Sequence, residues 1–238
     1  MGYVDHVVIA VPDLDAAARC WRDTAGISFQ RGGRHPGGTE NALAVFAGQD
    51  LYLELITVCD PASADPFTQL AGARQGPLTW AAGTDDVDRG IARLAGAGVP
   101  AGPARAGRRR CPDGSEVTWR SAIAGPPGTT AWPFLIEWPA RGAARLGVAP
   151  TVAGLRVTGL TVAVPDPAAA AGVLAGALGF TRAGPDSLVV ADGAVTVTLA
   201  SSGEDRPGPV ALTLSGQRRG SFALDGLAVS IEPERVAI

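Results

Sequence analysis

The chain has 238 residues, of which 46% are hydrophobic and 18% charged, with a formal net charge of -3. That length can bury a substantial core and suits one large domain or two small ones, and the near-neutral balance gives no electrostatic reason to expect nucleic acid or an anionic membrane as partner. Cys20, Cys59 and Cys111 have no paired spacing, which speaks against a disulfide framework or a zinc-thiolate site and fits a reducing cytoplasm.

In chain order, residues 6–15 read HVVIAVPDLD, an apolar strand running through Pro-Asp into an Ala-rich helix. Asp13 is placed to cap that helix, Leu14, Ala17, Ala18, Trp21 and Ala25 fall at helical spacing, and Gly26 is the stop. The Gly-rich stretch 30–41 reads as a joining loop before two strands at 42–47 and 51–58. A fainter copy of the opening, TWAAGTDDVD, stands at 79–88, with Val87, Ile91 and Leu94 as its helical stripe. Loops at 98–114 and 124–131 then flank strands at 116–123 and 133–138, and residues 140–154 read as a linker. The longest apolar stretch, residues 168–180, is too short to span a bilayer, so no membrane anchoring is expected. It belongs to a third copy, which opens GLTVAVPDPA at 159–168 and has Asp166 as cap, Pro167 at the first helical position, and Gly179 as stop. Strands at 188–191 and 194–200 follow, and segments 210–215 and 222–231 add two more, a remnant of a fourth unit.

An internal repeat of this kind sets the whole architecture. The expected class is α+β, built of tandem βαβββ modules, with residues 1–142 forming a paired domain and 152–238 a third, partly degenerate module. Side chains two apart on a strand share a face. Val7, Ile9 and Val11 are therefore expected to pack on the helix while His6, Val8 and Ala10 share the open face. Leu51, Leu53 and Leu55 likewise leave Tyr52, Glu54 and Ile56 on the open side. In the second unit Phe134, Ile136 and Trp138 are assigned to the helix and Glu137 to the open face; Thr79 and Gly159 are the counterparts of His6, and Thr198 that of Glu54.

DHVVIAVPDLDAA at 5–17, GGRHPGGTENA at 32–42, LYLELI at 51–56, RRRCPDGSEVTWR at 108–120 and PFLIEW at 133–138 together resemble the vicinal oxygen chelate superfamily. That superfamily includes glyoxalase I, extradiol dioxygenases, methylmalonyl-CoA epimerase and bleomycin-resistance proteins, and the glyoxalase-like domain group is the nearest in pattern. The resemblance covers roughly residues 3–139 and implies a half-open barrel whose metal ligands come from the first and last strands of each unit. Carried over by position, these places are His6, Glu54, Thr79 and Glu137, of which Thr79 is a poor ligand. One imidazole and two carboxylates suit Zn, Mn, Fe, Co or Ni. The implied activity is that of a divalent-metal-dependent isomerase or lyase on a small 2-oxo or 2-hydroxy compound, with Glu54 and Glu137 moving protons. Extradiol cleavage fits less well, since its usual ligands are two His and one carboxylate and the only other His is His35.

Plainer readings stand beside these. His6 and Glu54 can be a hydrogen-bonded pair without metal, and the protein a metal-free sequestration protein of the bleomycin-resistance type, with Tyr52, Trp80, Trp119 and Trp132 lining an apolar groove. Arg34, His35 and Asn41 either contact an anionic substrate at the rim or belong to a plain turn. Arg108 to Arg110 read as a solvated run. Trp119 and Arg120 point to opposite faces, with Arg120 either holding a substrate carboxylate or pairing with a surface acid. The third module should hold no metal and should cover a sheet edge or make a homodimer contact.

Overall fold

A computed structural model describes residues 2–126, 128–189, 195–203 and 206–233. Eight strands form a closed barrel: β1 (Tyr3–Ala10), β2 (Gln30–His35), β3 (Thr39–Val45), β4 (Tyr52–Val58), β5 (Gly76–Gly83), β6 (Arg105–Arg110), β7 (Glu116–Ala122) and β8 (Phe134–Glu137). Their order around the wall is β1-β4-β3-β2-β6-β7-β8-β5. Helices α1 (Leu14–Ala25), after β1, and α3 (Val87–Gly96), after β5, complete two βαβββ units, and α2 (Pro66–Ala73) is inserted between the units.

Local chemistry explains the helices. Asp13 accepts from the backbone N–H groups of Asp15 and Ala16 at 2.8 and 3.0 Å, and Gly26 closes α1 in the left-handed conformation at φ 73°. The same device recurs on α4 (Pro167–Leu178), where Asp166 caps and Gly179 ends the helix at φ 73°. Asp86 caps α3 through Arg89 N.

The barrel goes further than the half-open form expected. It closes because two stretches assigned to loops, QRGGRH and RAGRRR, are strands β2 and β6. Neither has strong strand propensity; each is held by its hairpin partner, β2 by β3 and β6 by β7, since strand formation depends more on pairing context than on residue type. Between β2 and β6 the closing seam is a single pairing, Arg34 with Arg110.

The interior is layered. One end is filled by Val8, Ala10, Ile56 and Leu78 and covered by Phe67, Leu70 and Ala71 of α2. The other is filled by Leu43, Val45 and Tyr52 and stoppered by Leu146 and Val148. Leu146 ends a 3-10 turn, Ala143–Leu146, in the segment read as a linker. Polar side chains lie between these two apolar layers.

A second sheet contains β9 (Leu155–Val164), β10 (Thr181–Arg182), β11 (Ser187–Val189), β12 (Thr196–Ser201), β13 (Gly208–Gly216), β14 (Gly220–Leu224) and β15 (Leu227–Glu232), in the order β10-β11-β12-β9-β13-β15-β14. With α4, strands β9 to β12 repeat the first unit. Around β9, the pairings of β13, β15 and β14 reproduce those of β5, β8 and β7 around β1, so the last strands are a fourth unit lacking its helix and the strand equivalent to β6. Part of the strand pair expected at 188–191 and 194–200, namely residues 190, 191 and 194, lies outside the described residues.

The barrel leaves no edge for this sheet to cover. Instead it packs on the helix-bearing outside of the barrel, and one apolar core runs through both: Trp21, Leu53, Trp80 and Leu135 join Leu160, Val197, Leu212 and Val229. Trp21 Nε1 donates to Asp225 Oδ2 at 2.7 Å, and the Gln49 side chain bonds Val157 through both its carbonyl and its amide.

Candidate functional site

The alternation argument holds on β1 and β4. Val7, Ile9, Val11, Leu51, Leu53 and Leu55 are in the helix-side core, whereas His6 and Glu54 face the barrel interior, 3% and 6% exposed. His6 Nε2 lies 3.4 Å from Glu54 Oε2, and Asn41 Nδ2 donates to Glu54 Oε1 at 2.6 Å. Tyr52 stacks on the imidazole with ring centroids 4.5 Å apart, and Phe134 meets it edge-on at 5.3 Å. Burial, together with the carboxylates of Asp5 and Glu54, keeps the Tyr52 phenol well above its ordinary pKa, so the ring is a neutral wall of the site.

Asp5 was not anticipated, because strict alternation sends it away from His6. The pairing of β1 with β5 slips between Val4 and His6, and such a bulge lets consecutive side chains turn to one side. Asp5 Oδ1 thus accepts from His6 Nδ1 at 2.6 Å, while Asp5 Oδ2 accepts from Arg145 Nη2 at 2.9 Å and from Trp138 Nε1 at 3.0 Å. Burial alone would raise the Asp5 carboxyl, but His6 and Arg145 hold it below the ordinary carboxylate range. An ionised Asp5 can only accept, so His6 Nδ1 carries the proton and Nε2 is the working nitrogen. Arg145 comes from the 3-10 turn, also donating to the carbonyls of Gly142 and Asp50; no sequence signal marks it.

Glu137 is a correction. Its Oε2 accepts from Val87 N at 2.8 Å, at the start of α3, and lies 3.5 Å from Arg120. It is therefore on the helix side, and Phe134 and Trp138 are the residues that enter the barrel. In a strand apolar on both faces the hydrophobic pattern does not say which face is inward. Arg120 is also outside, bound to Asp88 of α3 at 2.9 Å, so Trp119 is the member of that pair on the inner face, 5.8 Å from His35 and 5.4 Å from Trp138 between ring centroids. Trp80 is in the helix-side core and Trp132 packs against it, so neither lines the barrel.

Arg34 lies at the rim, paired with Glu40 at 2.8 Å, and His35 bonds Thr39 at 2.8 Å. Burial depresses the His35 pKa; Glu54 opposes the shift and Arg109 adds to it. Arg109 itself, read as part of a solvated run, is 2% exposed and donates to the Leu146 carbonyl inside the barrel. Its signal was the alternation of β6, where Arg108 and Arg110 point out. A cavity of about 450 Å³ opens at the seam between β2 and β6, bordered by Gly33, Asn41, Arg110 and Cys111, with Arg31, Arg34 and Glu40 on its rim.

A resident divalent metal does not fit this donor set. Of the four places, Thr79 offers a hydroxyl and Glu137 is outside, leaving His6 and Glu54; among the described residues no group of three or more His, Cys, Asp or Glu could hold an ion. Zinc sites take at least three protein ligands.

The two βαβββ units thus close into one barrel around a buried His–Glu pair. The model of the glyoxalase-like domain family matches residues 4–178, and the chain belongs to that family, within the vicinal oxygen chelate superfamily. No curated protein matches the chain. Among solved structures, it is similar to a hypothetical protein from Staphylococcus aureus, at 15% identity over 98% of this chain and 100% of that one, with a TM-score of 0.78. A mutant 4-hydroxymandelate synthase from Streptomyces coelicolor matches at 16% identity over 90% of this chain and 71% of that one, with a TM-score of 0.54. These likenesses establish the fold. Methylmalonyl-CoA epimerase from the same organism aligns at 26% identity over 58% of this chain and 97% of its own, with a TM-score of 0.42.

Proposed function

We propose that the protein is an isomerase or lyase that moves a proton on a small 2-oxo or 2-hydroxy compound inside the barrel, using His6 and Glu54 and needing no resident metal. The observation that carries this is the buried succession of Asp5, His6 and Glu54, with Asp5 on one ring nitrogen and Glu54 beside the other. Asp5 fixes the tautomer and steadies the imidazolium form, as a carboxylate behind a histidine does in other acid-base sites. Glu54, with one oxygen held by Asn41, presents the other toward His6. One group can accept a proton from the carbon next to a carbonyl or carboxylate, and the other can return it to the same or the adjacent carbon. Burial strengthens these electrostatic effects by excluding water.

The test is solvent-deuterium exchange at that carbon, followed by proton NMR for a panel of 2-oxo and 2-hydroxy acids and esters. Exchange in the parent protein that drops about 100-fold or more in Glu54→Gln and His6→Gln, with the fold intact, supports the reading. Compounds that bind without exchange at any pH identify instead a sequestration protein of the bleomycin-resistance kind. Stimulation of exchange by added Zn²⁺ or Mn²⁺, lost in chelator, restores the metal-dependent form.

A further inference from the structure

Arg109 has a charge that the barrel does not answer. It is 2% exposed, yet no carboxylate of the described residues lies within ion-pair distance, and its Nε–H has no acceptor. The two interior carboxylates are engaged elsewhere, Asp5 with His6 and Arg145, Glu54 with His6 and Asn41. Removing a cation from water without a partner is costly, and an apolar side chain of equal length serves a core better.

Asn41 presents the complementary deficit. It is 2% exposed, its Nδ2 is committed to Glu54, and its Oδ1 has no donor. The Arg109 guanidinium and the Asn41 amide meet at one spot on the barrel wall, over Gly32. A Cβ on Gly32 would collide with Asn41 Oδ1 and come within 2.9 Å of Arg109 Nη1. A cation bonded only to the Leu146 carbonyl and an unpaired neutral acceptor therefore lie side by side next to Glu54, where Asn41 borders the cavity between β2 and β6.

We propose that these two groups form a subsite for a 2-hydroxy carboxylate at the inner end of that cavity, with the carboxylate on Arg109 and the hydroxyl donating to Asn41 Oδ1. The inference rests on the acid-base reading of His6 and Glu54 and narrows its substrate class. A 2-oxo acid offers only acceptors and leaves Asn41 Oδ1 unpaired, and a site built to bind a hydroxyl rejects an analogue that lacks one. Glu54, bonded to the amide nitrogen of the same Asn41, is the adjacent base. Entry is through the cavity between β2 and β6, which Asn41 borders and whose rim carries Arg31, Arg34 and Arg110 against the single carboxylate of Glu40; a mouth of net positive charge draws anions.

The experiment is titration calorimetry of the full chain with both enantiomers of lactate, malate and 2-hydroxy-4-methylpentanoate, each beside its deoxy and 2-oxo counterpart. At least one hydroxy acid should bind ten-fold or more tightly than both counterparts. Arg109→Met should weaken it ten-fold or more while the melting temperature stays or rises, and Gly32→Ala should abolish binding. Equal binding of the deoxy acid, no binding in any series, or an Arg109→Met protein that melts lower yet binds as before overturns the proposal. Arg109-dependent binding without deuterium exchange would sink the catalytic reading alone, whereas exchange of 2-oxo compounds indifferent to Arg109 would sink only the subsite.

Discussion

His35 shows how the buried charges of the site enter the stability of the fold. Its folded pKa lies below the ordinary imidazole value, chiefly through burial, so between the two values the unfolded chain binds the extra proton. The resulting stability is complete above about pH 6.5 and is lost as pH falls toward the depressed folded value. Asp5 acts lower on the scale: its folded carboxyl is depressed, so its contribution is complete above about pH 3.9 and disappears as pH drops through the folded value. The urea midpoint should therefore decline between pH 7 and 5, and His35→Gln should flatten that decline while leaving the fall below pH 4. An unchanged profile in the variant would show that His35 is not the group responsible. At this scale the inward placement of His6, Glu54 and Tyr52 was legible because β4, and β1 from His6 onward, put alternate residues on opposite faces, whereas Asn41, read as part of a joining loop, stands on β3. Asp5 was hidden by a bulge, Arg109 by a run of like residues, and Glu137 was misplaced because the hydrophobic pattern of β8 fits either face.

The 3-10 turn at Ala143–Leu146 is the element that contributes most beyond its length. It carries Arg145 into the barrel to meet Asp5 and Leu146 to close the apolar layer. Arg145→Ala strands a buried carboxylate and should cost about 3–5 kcal/mol in chemical denaturation; Arg145→Ala combined with Asp5→Asn should recover part of that loss. Nothing in RGAARLG announces this, since the partner lies 140 residues away in sequence. The hairpin joining β14 and β15 is similar in kind. Asp225 and Gly226 both have positive φ, 46° and 79°, the combination that two-residue turns between twisted strands favour. Asp225 also receives the Trp21 indole, so Asp225→Ala should lose turn preference and hydrogen bond together, about 1–2 kcal/mol by thermal melting. The capped helices, by contrast, were plain in the sequence, because cap, stripe and stop all lie within a dozen neighbouring residues.

For the whole molecule, the repeat made the architecture readable, including the remnant of a fourth unit, while the relation between the two sheets was not, because a shared core depends on which outer faces meet. Cutting the chain at residue 150 would uncover Trp21, Trp80 and Leu135, which pack in that core. The fragment 1–150 should accordingly be insoluble or bind a hydrophobic dye strongly, and a soluble, cooperatively melting fragment would show that the barrel is self-sufficient. The closure of the barrel has a kinetic counterpart. Seven of its eight strand junctions are ladders of several pairings and the eighth is Arg34 with Arg110 alone, so the wall is a chain fastened by one link. Local opening draws on the least stable contacts of a structure. The amides of β2 and β6 should exchange with deuterated solvent well before those of β1 and β4, at a rate set by unfastening rather than unfolding. Water and solute would then reach the polar layer through a slot whose opening frequency, not the depth of the cavity, limits entry.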